Sequence, residues 1–277
     1  MKKFYFTLEF YLLFVRYAVI MMAYYDGRRE RLGEAIGVLS GKGGTGKTSV
    51  CAGLALALAA QGRRVLCIDC DVGLRNLDLS LGMSDIGALS FLDVAMDRSP
   101  LSDAAVHPAF PSLFFLTAPM NTPMDAIDPD TFSGLVFRAR REFDYVFLDA
   151  PAGVDAGFRL VAGCADRFLL VTGPGPAAIR DARRVSELLE LAGKDNVRLI
   201  VNRVDKAMLS RLKLTIDDVM DTAGLPLLGV VPEDSSVTLA AAFGMCLRKY
   251  APRCAAAKAF QRISHRLQGM YESIHIR

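Results

Sequence analysis

The chain is short of the features that would mark several whole classes of protein. Its 277 residues carry 33 Lys and Arg against 30 Asp and Glu, a net charge of only +3, with no basic stripe in the body of the chain. That is too little to argue for capture of a nucleic-acid backbone, so DNA is not an expected partner. No internal repeat, low-complexity tract or long linker divides the sequence, which leaves a single domain. Cys67-Ile-Asp-Cys70 has the two-residue gap of a metal or redox motif, but no second Cys-x-x-Cys accompanies it and the pair lies along an apolar run. The six cysteines, at positions 51, 67, 70, 164, 246 and 254, are expected to be buried thiols in a reducing cytosol. An uninterrupted membrane span is also missing. Residues 1–25 are hydrophobic overall, yet Glu9 and Arg16 break the run, whereas a span needs about 20 predominantly apolar residues and a central charge is costly. A clear small-residue cleavage site for a signal peptide is absent as well. Three readings of this segment stay open: upstream sequence before a start near Met21 or Met22, an interfacial membrane segment, or a genuine span. Residues 1–33 are accordingly set apart as an N-terminal extension.

What is present begins at Gly41, where the chain reads Gly-Lys-Gly-Gly-Thr-Gly-Lys-Thr. The spacing is that of a phosphate-binding loop: glycines let consecutive backbone N–H groups turn inward, Lys47 reaches the β/γ-phosphates, and the Thr48 hydroxyl meets Mg²⁺. A glycine-rich turn with chance lysines would not need flanking elements in a set order. Here the apolar run Glu34–Leu39 precedes the loop as a strand, and residues 46–60 follow as a helix whose amino end faces the phosphates. Taken alone, Lys42 is as readily a solvated surface lysine as a functional one.

Three further segments end strands in polar residues. Residues 65–82 deliver Asp69 and Asp71 at the carboxyl end of an apolar strand. Carboxylates two apart on a strand point the same way, and such a pair can help hold hydrated Mg²⁺ and orient an attacking water; the alternative is a solvated strand end. Within residues 143–153, the run from Tyr145 to Leu148 forms a buried-type strand ending in Asp149, an acid placed to hold Mg²⁺ through water. Residues 198–204 carry Asn202, and a lone asparagine after a strand is more often a cap or turn residue. Apolar runs at Val65, Leu113, Tyr145, Phe168, Val197 and Leu227 alternate with helical patterns over residues 176–192 and 217–223. This alternation predicts an α/β fold, a mostly parallel β-sheet with helices on both faces, whose ligands bind at the carboxyl ends of the strands.

The run from Lys42 to Thr48 resembles the deviant Walker A loop of the MinD/ParA class of P-loop ATPases. Asp71-Val-Gly-Leu-Arg-Asn-Leu-Asp78 is similar to the switch I segment of the MinD branch, Ala150-Pro-Ala-Gly153 to its switch II, and residues 116–123 and 227–237 to further segments of it. The resemblance extends over residues 34–269. It implies the P-loop NTPase fold, with ATP and Mg²⁺ as cofactors and hydrolysis of ATP to ADP and phosphate. Lys42, Lys47 and Asp71 become the catalytic candidates, Lys42 by contacting the partner subunit's nucleotide across a dimer interface. Gly41, Lys42, Gly43, Gly44, Thr45, Gly46, Lys47, Thr48 and Ser49 become phosphate-side contacts. Asn202 is placed to read adenine, Arg203 and Glu233 to line the nucleotide, and Pro232 to lie against the ring. Thr48, Asp71 and Asp149 hold the metal, with Asp69 as a further candidate. The implied partners are a second copy bound in the presence of ATP, a division inhibitor and an ATPase-activating or topological protein. The implied process is division-site selection, in the cytoplasm and peripherally on the inner face of the membrane. A flagellar-number regulator of the same fold and a DNA-partitioning ATPase are the alternatives. An iron–sulfur scaffold is disfavoured because Cys246 and Cys254 form no Cys-x-x-Cys.

At the carboxyl end, Phe260, Ile263, Leu267, Met270, Tyr271 and Ile274 recur at helical spacing, with Lys258, Arg262 and Arg266 on the opposite side. MinD proteins usually finish with a short basic amphipathic helix that enters the membrane surface. Here the last core helix is expected to run to about Gly269, and residues 270–277 remain as a tail whose one clear basic anchor is Arg277. Weak contact with an anionic membrane surface is the expectation.

Overall fold

A computed structural model describes residues 32–274; the N-terminal segment discussed above, Ile276 and Arg277 lie outside the described residues. The sheet is built from β1 (Glu34–Leu39), β2 (Val65–Asp69), β3 (Ala105–His107), β4 (Phe110–Leu116), β5 (Tyr145–Asp149), β6 (Arg167–Thr172), β7 (Val197–Val204) and β8 (Leu227–Pro232), in the spatial order β3-β4-β2-β5-β1-β6-β7-β8. All neighbouring pairs are parallel except β3 with β4. The central strands are buried along nearly their whole length. Continuous apolar runs rather than alternation are what a sheet covered on both faces requires.

Among the described residues the principal helices are α1 (Lys47–Ala59), α2 (Leu77–Leu81), α3 (Phe91–Ala95), α4 (Pro129–Glu142), α5 (Ala156–Cys164), α6 (Pro176–Leu191), α7 (Lys206–Leu212), α8 (Ile216–Ala223), α9 (Ser235–Ala242), α10 (Leu247–Tyr250) and α11 (Ala255–Leu267). One face of the sheet packs on α3, α4, α5 and α6, with Phe91 and Phe132 meeting edge to face at 5.3 Å between centroids. The other face packs on α1 and α11. Close approach of those two helices needs a glycine at position 53, because a Cβ there would lie 2.4 Å from the Phe260 ring. Helix starts follow local chemistry: Asp128 accepts from Thr131 N ahead of Pro129 in α4, and Thr215 forms a capping box with Asp218 in α8.

At the carboxyl end the apolar spacing continues past the helix, which stops close to the expected Gly269. Helix α11 buries Phe260, Ile263 and Leu267 but stops there, and Gly269 turns left-handed at φ 81°. Met270, Tyr271 and Ile274 continue the spacing without continuing the helix, and all three are exposed. Arg266 is not part of a free basic face. Its Nη1 donates to the Leu228 carbonyl at 2.6 Å and its Nε to the Glu272 carbonyl at 2.9 Å, while Glu272 Oε1 meets His265 Nδ1 at 2.6 Å. Backbone acceptors recruited by the docked helix outcompete solvent for that guanidinium. No helix among the described residues is long and apolar enough to cross a membrane.

Candidate nucleotide-binding site

Strand β1 emerges buried at Leu39, and α1 begins at Lys47. The loop between them turns through Gly44 and Gly46, each at φ 80°, a region that side-chain-bearing residues avoid. The amino end of α1 has no side-chain cap, so its first-turn N–H groups keep donors to spare for an anion, at the positive end of the helix dipole. Lys47 lies inside the protein, 6% exposed, and its ammonium pairs with Oδ1 of Asp149, which is 1% exposed. Burial works against the charged lysine, but the Asp149 carboxylate outweighs it and holds the ammonium above its ordinary pKa. Lys47 Nζ also stands 3.5 Å from Thr48 Oγ1.

Two buried oxygens here lack a hydrogen-bond partner within the protein, Asp149 Oδ2 and Thr45 Oγ1. A buried carboxylate oxygen without a donor is costly. Together with the Thr48 hydroxyl it offers hard oxygen ligands of the kind Mg²⁺ takes, and Mg²⁺ is usually held by one or two protein groups plus phosphates and water.

The aspartates after β2 are placed differently from a same-face pair on a strand. Strand β2 ends at Asp69, whose Oδ1 accepts from Asp71 N at 2.9 Å and whose Oδ2 accepts from Leu77 N at 3.2 Å. The bond to Asp71 N bends the chain out of the pleat, so Asp71 sits in the following turn, half-buried, with its Oδ1 accepting from Gly73 N and Leu74 N at 3.2 Å each. Asp69 is 1% exposed, and burial, then the neighbouring Asp149 charge, push its pKa up to about 7. It is therefore no solvated strand end. Arg75 anchors this turn to the chain beyond β4 by donating to Thr117 Oγ1 at 3.0 and 3.3 Å. Sequence reasoning missed this tether; Arg75 lay inside the quoted motif, but nothing local marked Thr117 as its acceptor.

On the other side of the loop stand the ends of β7 and β8. Asn202 is 5% exposed, and its Nδ2 donates to the Thr45 carbonyl at 2.8 Å. That contact uses one of the two N–H donors of its side-chain amide. Arg203 Nε meets Glu233 Oε2 at 2.8 Å, and its Nη1 reaches the Gly44 carbonyl at 3.3 Å. Pro232 closes β8, and Asp234 caps α9 at Ser236 N while also accepting from Ala256 N, both at 3.0 Å. Lys42 and Gly43 are exposed on the rim. Gly41 packs on α6, where a Cβ would lie 2.6 Å from Asp181, a neighbour that helical periodicity alone did not single out. Ser49 is half-buried in the first turn of α1.

The cysteines are free thiols, and all but the half-buried Cys254 are buried. Burial pushes Cys70 well above the ordinary thiol range and Cys164 to about 12, which makes them poor nucleophiles and metal ligands.

Comparison with known proteins gives a consistent set of likenesses. The family model for the CobQ/CobB/MinD/ParA nucleotide binding domain matches residues 36–247. The septum site-determining protein MinD of Synechocystis is 38% identical over 234 residues, covering 84% of this chain and 88% of that protein. Among solved structures, the MinC:MinD cell division protein complex of Aquifex aeolicus superposes with a TM-score of 0.80 at 34% identity, covering 88% of this chain and 98% of the other. The septum site-determining protein MinD of Pyrococcus horikoshii, complexed with Mg-ADP, gives 0.74 at 29% identity, covering 85% and 96%.

Proposed function

The chain belongs to the CobQ/CobB/MinD/ParA family of nucleotide-binding domains, and from that membership we propose that it is a MinD-type ATPase of division-site selection, dimerising on ATP and hydrolysing it to ADP and phosphate. The observation that carries this is the buried Lys47–Asp149 pair at the uncapped amino end of α1. Without nucleotide the two charges neutralise each other. A triphosphate offers Lys47 more negative charge than one carboxylate does, so Lys47 would pair with the phosphate oxygens, leaving Asp149 and the Thr48 hydroxyl as the groups that would hold Mg²⁺, which would supply charge neutralisation for phosphoryl transfer. Loop N–H groups and the α1 amino end orient the phosphates, and Asp71, in the turn after β2, orients the attacking water. Lys42, exposed on the rim, reaches the nucleotide of the second copy.

The ATPase domain runs over residues 34–269, with residues 1–33 as an extension and 270–277 as a tail. By analogy with the MinC:MinD complex, the nucleotide-bound dimer presents a surface to a division inhibitor, and an activating partner ends the cycle. The protein works in the cytoplasm, with peripheral attachment to the membrane. Light scattering in Mg-ATP and in Mg-ADP, run beside phosphate release, tests the cycle. A dimer in ATP alone with slow phosphate release is expected; a monomer in both nucleotides, or no release, overturns the proposal.

A further inference from the structure

The outward carbonyls of the phosphate loop are held by a local irregularity in the sheet. Strands β7 and β8 pair at Val201 and Val230, then slip, with Val204 opposite Pro232. Within the slip lie Asn202 and Arg203, and Arg203 has φ 57°, left-handed backbone that a non-glycine residue rarely adopts. In a regular strand, adjacent side chains point to opposite faces. Here both turn on the loop: Asn202 Nδ2 donates to the Thr45 carbonyl at 2.8 Å and Arg203 Nη1 to the Gly44 carbonyl at 3.3 Å. Irregularities of this kind beside functional sites serve to re-aim side chains. Glu233, just past the end of β8, grips the guanidinium, with Oε2 at 2.8 Å from Nε and Oε1 at 3.4 Å from Nη2. Asn202 is seated against Gly46, where a Cβ would fall 2.2 Å from its Nδ2.

The consequence is geometric. In a trans peptide the C=O and the following N–H point opposite ways. Donors fixed on the Gly44 and Thr45 carbonyls therefore turn the N–H groups of Thr45 and Gly46 away from β7, toward the opposite side of the loop. We propose that Arg203, held by Glu233, is a positioning residue that acts with Asn202 to aim the Thr45 and Gly46 N–H groups at the β-phosphate of the nucleotide, without touching the base. This rests on the phosphate-loop function proposed above. A purely structural role accounts poorly for the arrangement, because the Arg203 and Glu233 side chains are 56% and 46% exposed, and an exposed pair adds little stability. Glycine would relieve the left-handed backbone at 203.

Calorimetric titration of the full chain with AMP and with ADP separates the possibilities, using wild type, Arg203→Ala, Arg203→Gly and Glu233→Gln. The expected result is an ADP affinity about fivefold weaker in both Arg203 variants, the scale of one lost hydrogen bond, with AMP affinity changed by less than about twofold. Glu233→Gln should move ADP in the same direction by a smaller factor. Arg203→Gly should unfold at the same or a higher temperature than wild type, which distinguishes aiming from scaffolding. Equal weakening of AMP and ADP would place Arg203 on the base or ribose and overturn the proposal, as would no change in either. If wild type binds ADP no more tightly than AMP, the phosphate-loop assignment itself fails.

Discussion

Replacing Lys47 by methionine keeps most of the side chain's length while removing its charge, which isolates the energetic meaning of the pair with Asp149. Asp149 is 1% exposed and its Oδ2 already lacks a donor, so losing the ammonium leaves a buried carboxylate with nothing to offset its desolvation. Breaking such a pair from one side costs about 3–5 kcal/mol. That is the destabilisation expected of Lys47→Met at pH 7. Adding Asp149→Asn should recover most of the loss at pH 7, since the double variant buries no unpaired charge. Urea unfolding in EDTA without nucleotide, on wild type, both single variants and the double, measures the coupling directly. Burial pushes the Asp69 pKa up to about 7, so all four proteins are compared at one pH. A coupling below about 0.5 kcal/mol, the usual margin for independent sites, would refute the buried-pair account.

Asp69 has a folded-state pKa raised from 3.8 to about 7 by burial and by Asp149; folding thus takes up a proton, and the stability it brings is full below pH 4 and lost as pH rises toward 7. Asp69→Asn should flatten that part of the stability–pH profile in thermal melts, and an unchanged slope would show that Asp69 ionises normally. Lys42→Ala should leave ATP binding measurable while abolishing ATP-dependent dimerisation in light scattering; equal dimerisation of wild type and variant would remove the contact across the interface. Asp71→Ala should keep ATP binding and dimerisation but slow single-turnover phosphate release by about 10²-fold, the low end for loss of a group that positions the reacting water, and normal turnover would put that water elsewhere. Sedimentation with anionic liposomes should show weak ATP-dependent binding that is lost when residues 270–277 are deleted; loss only on removal of residues 1–21 would move the attachment to the other end of the chain.

The parts of the fold that could be read directly are those that short-range chemistry decides. A strand, a loop with glycines at 44 and 46 and a helix from Lys47 follow one another within a few residues, and their order alone puts the phosphate loop at a carboxyl edge of the sheet. The same holds for Asp149, because β5 is an apolar run that ends on it. Period-two reasoning failed for Asp69 and Asp71 because it assumes that the pleat continues. A side-chain bond from Asp69 to the amide two residues on ends the strand there, and whether an aspartate takes that local bond or faces the ligand depends on its burial. The apolar spacing runs on through Met270 past the expected helix end, because periodicity records which residues are apolar, whereas the stop is set by the left-handed turn at Gly269 and by the ties of Arg266 and Glu272 beyond it. Asn202 and Arg203 mark the deeper limit. Their motif pointed to the nucleotide, whereas the partners the structure gives them are loop carbonyls 157 and 159 residues away along the chain. A contact of that separation leaves no mark in local periodicity or turn chemistry. It exists only because β7 lies beside β6, two strands from β1, so the residues that hold the loop from that side become visible only when the sheet order is known.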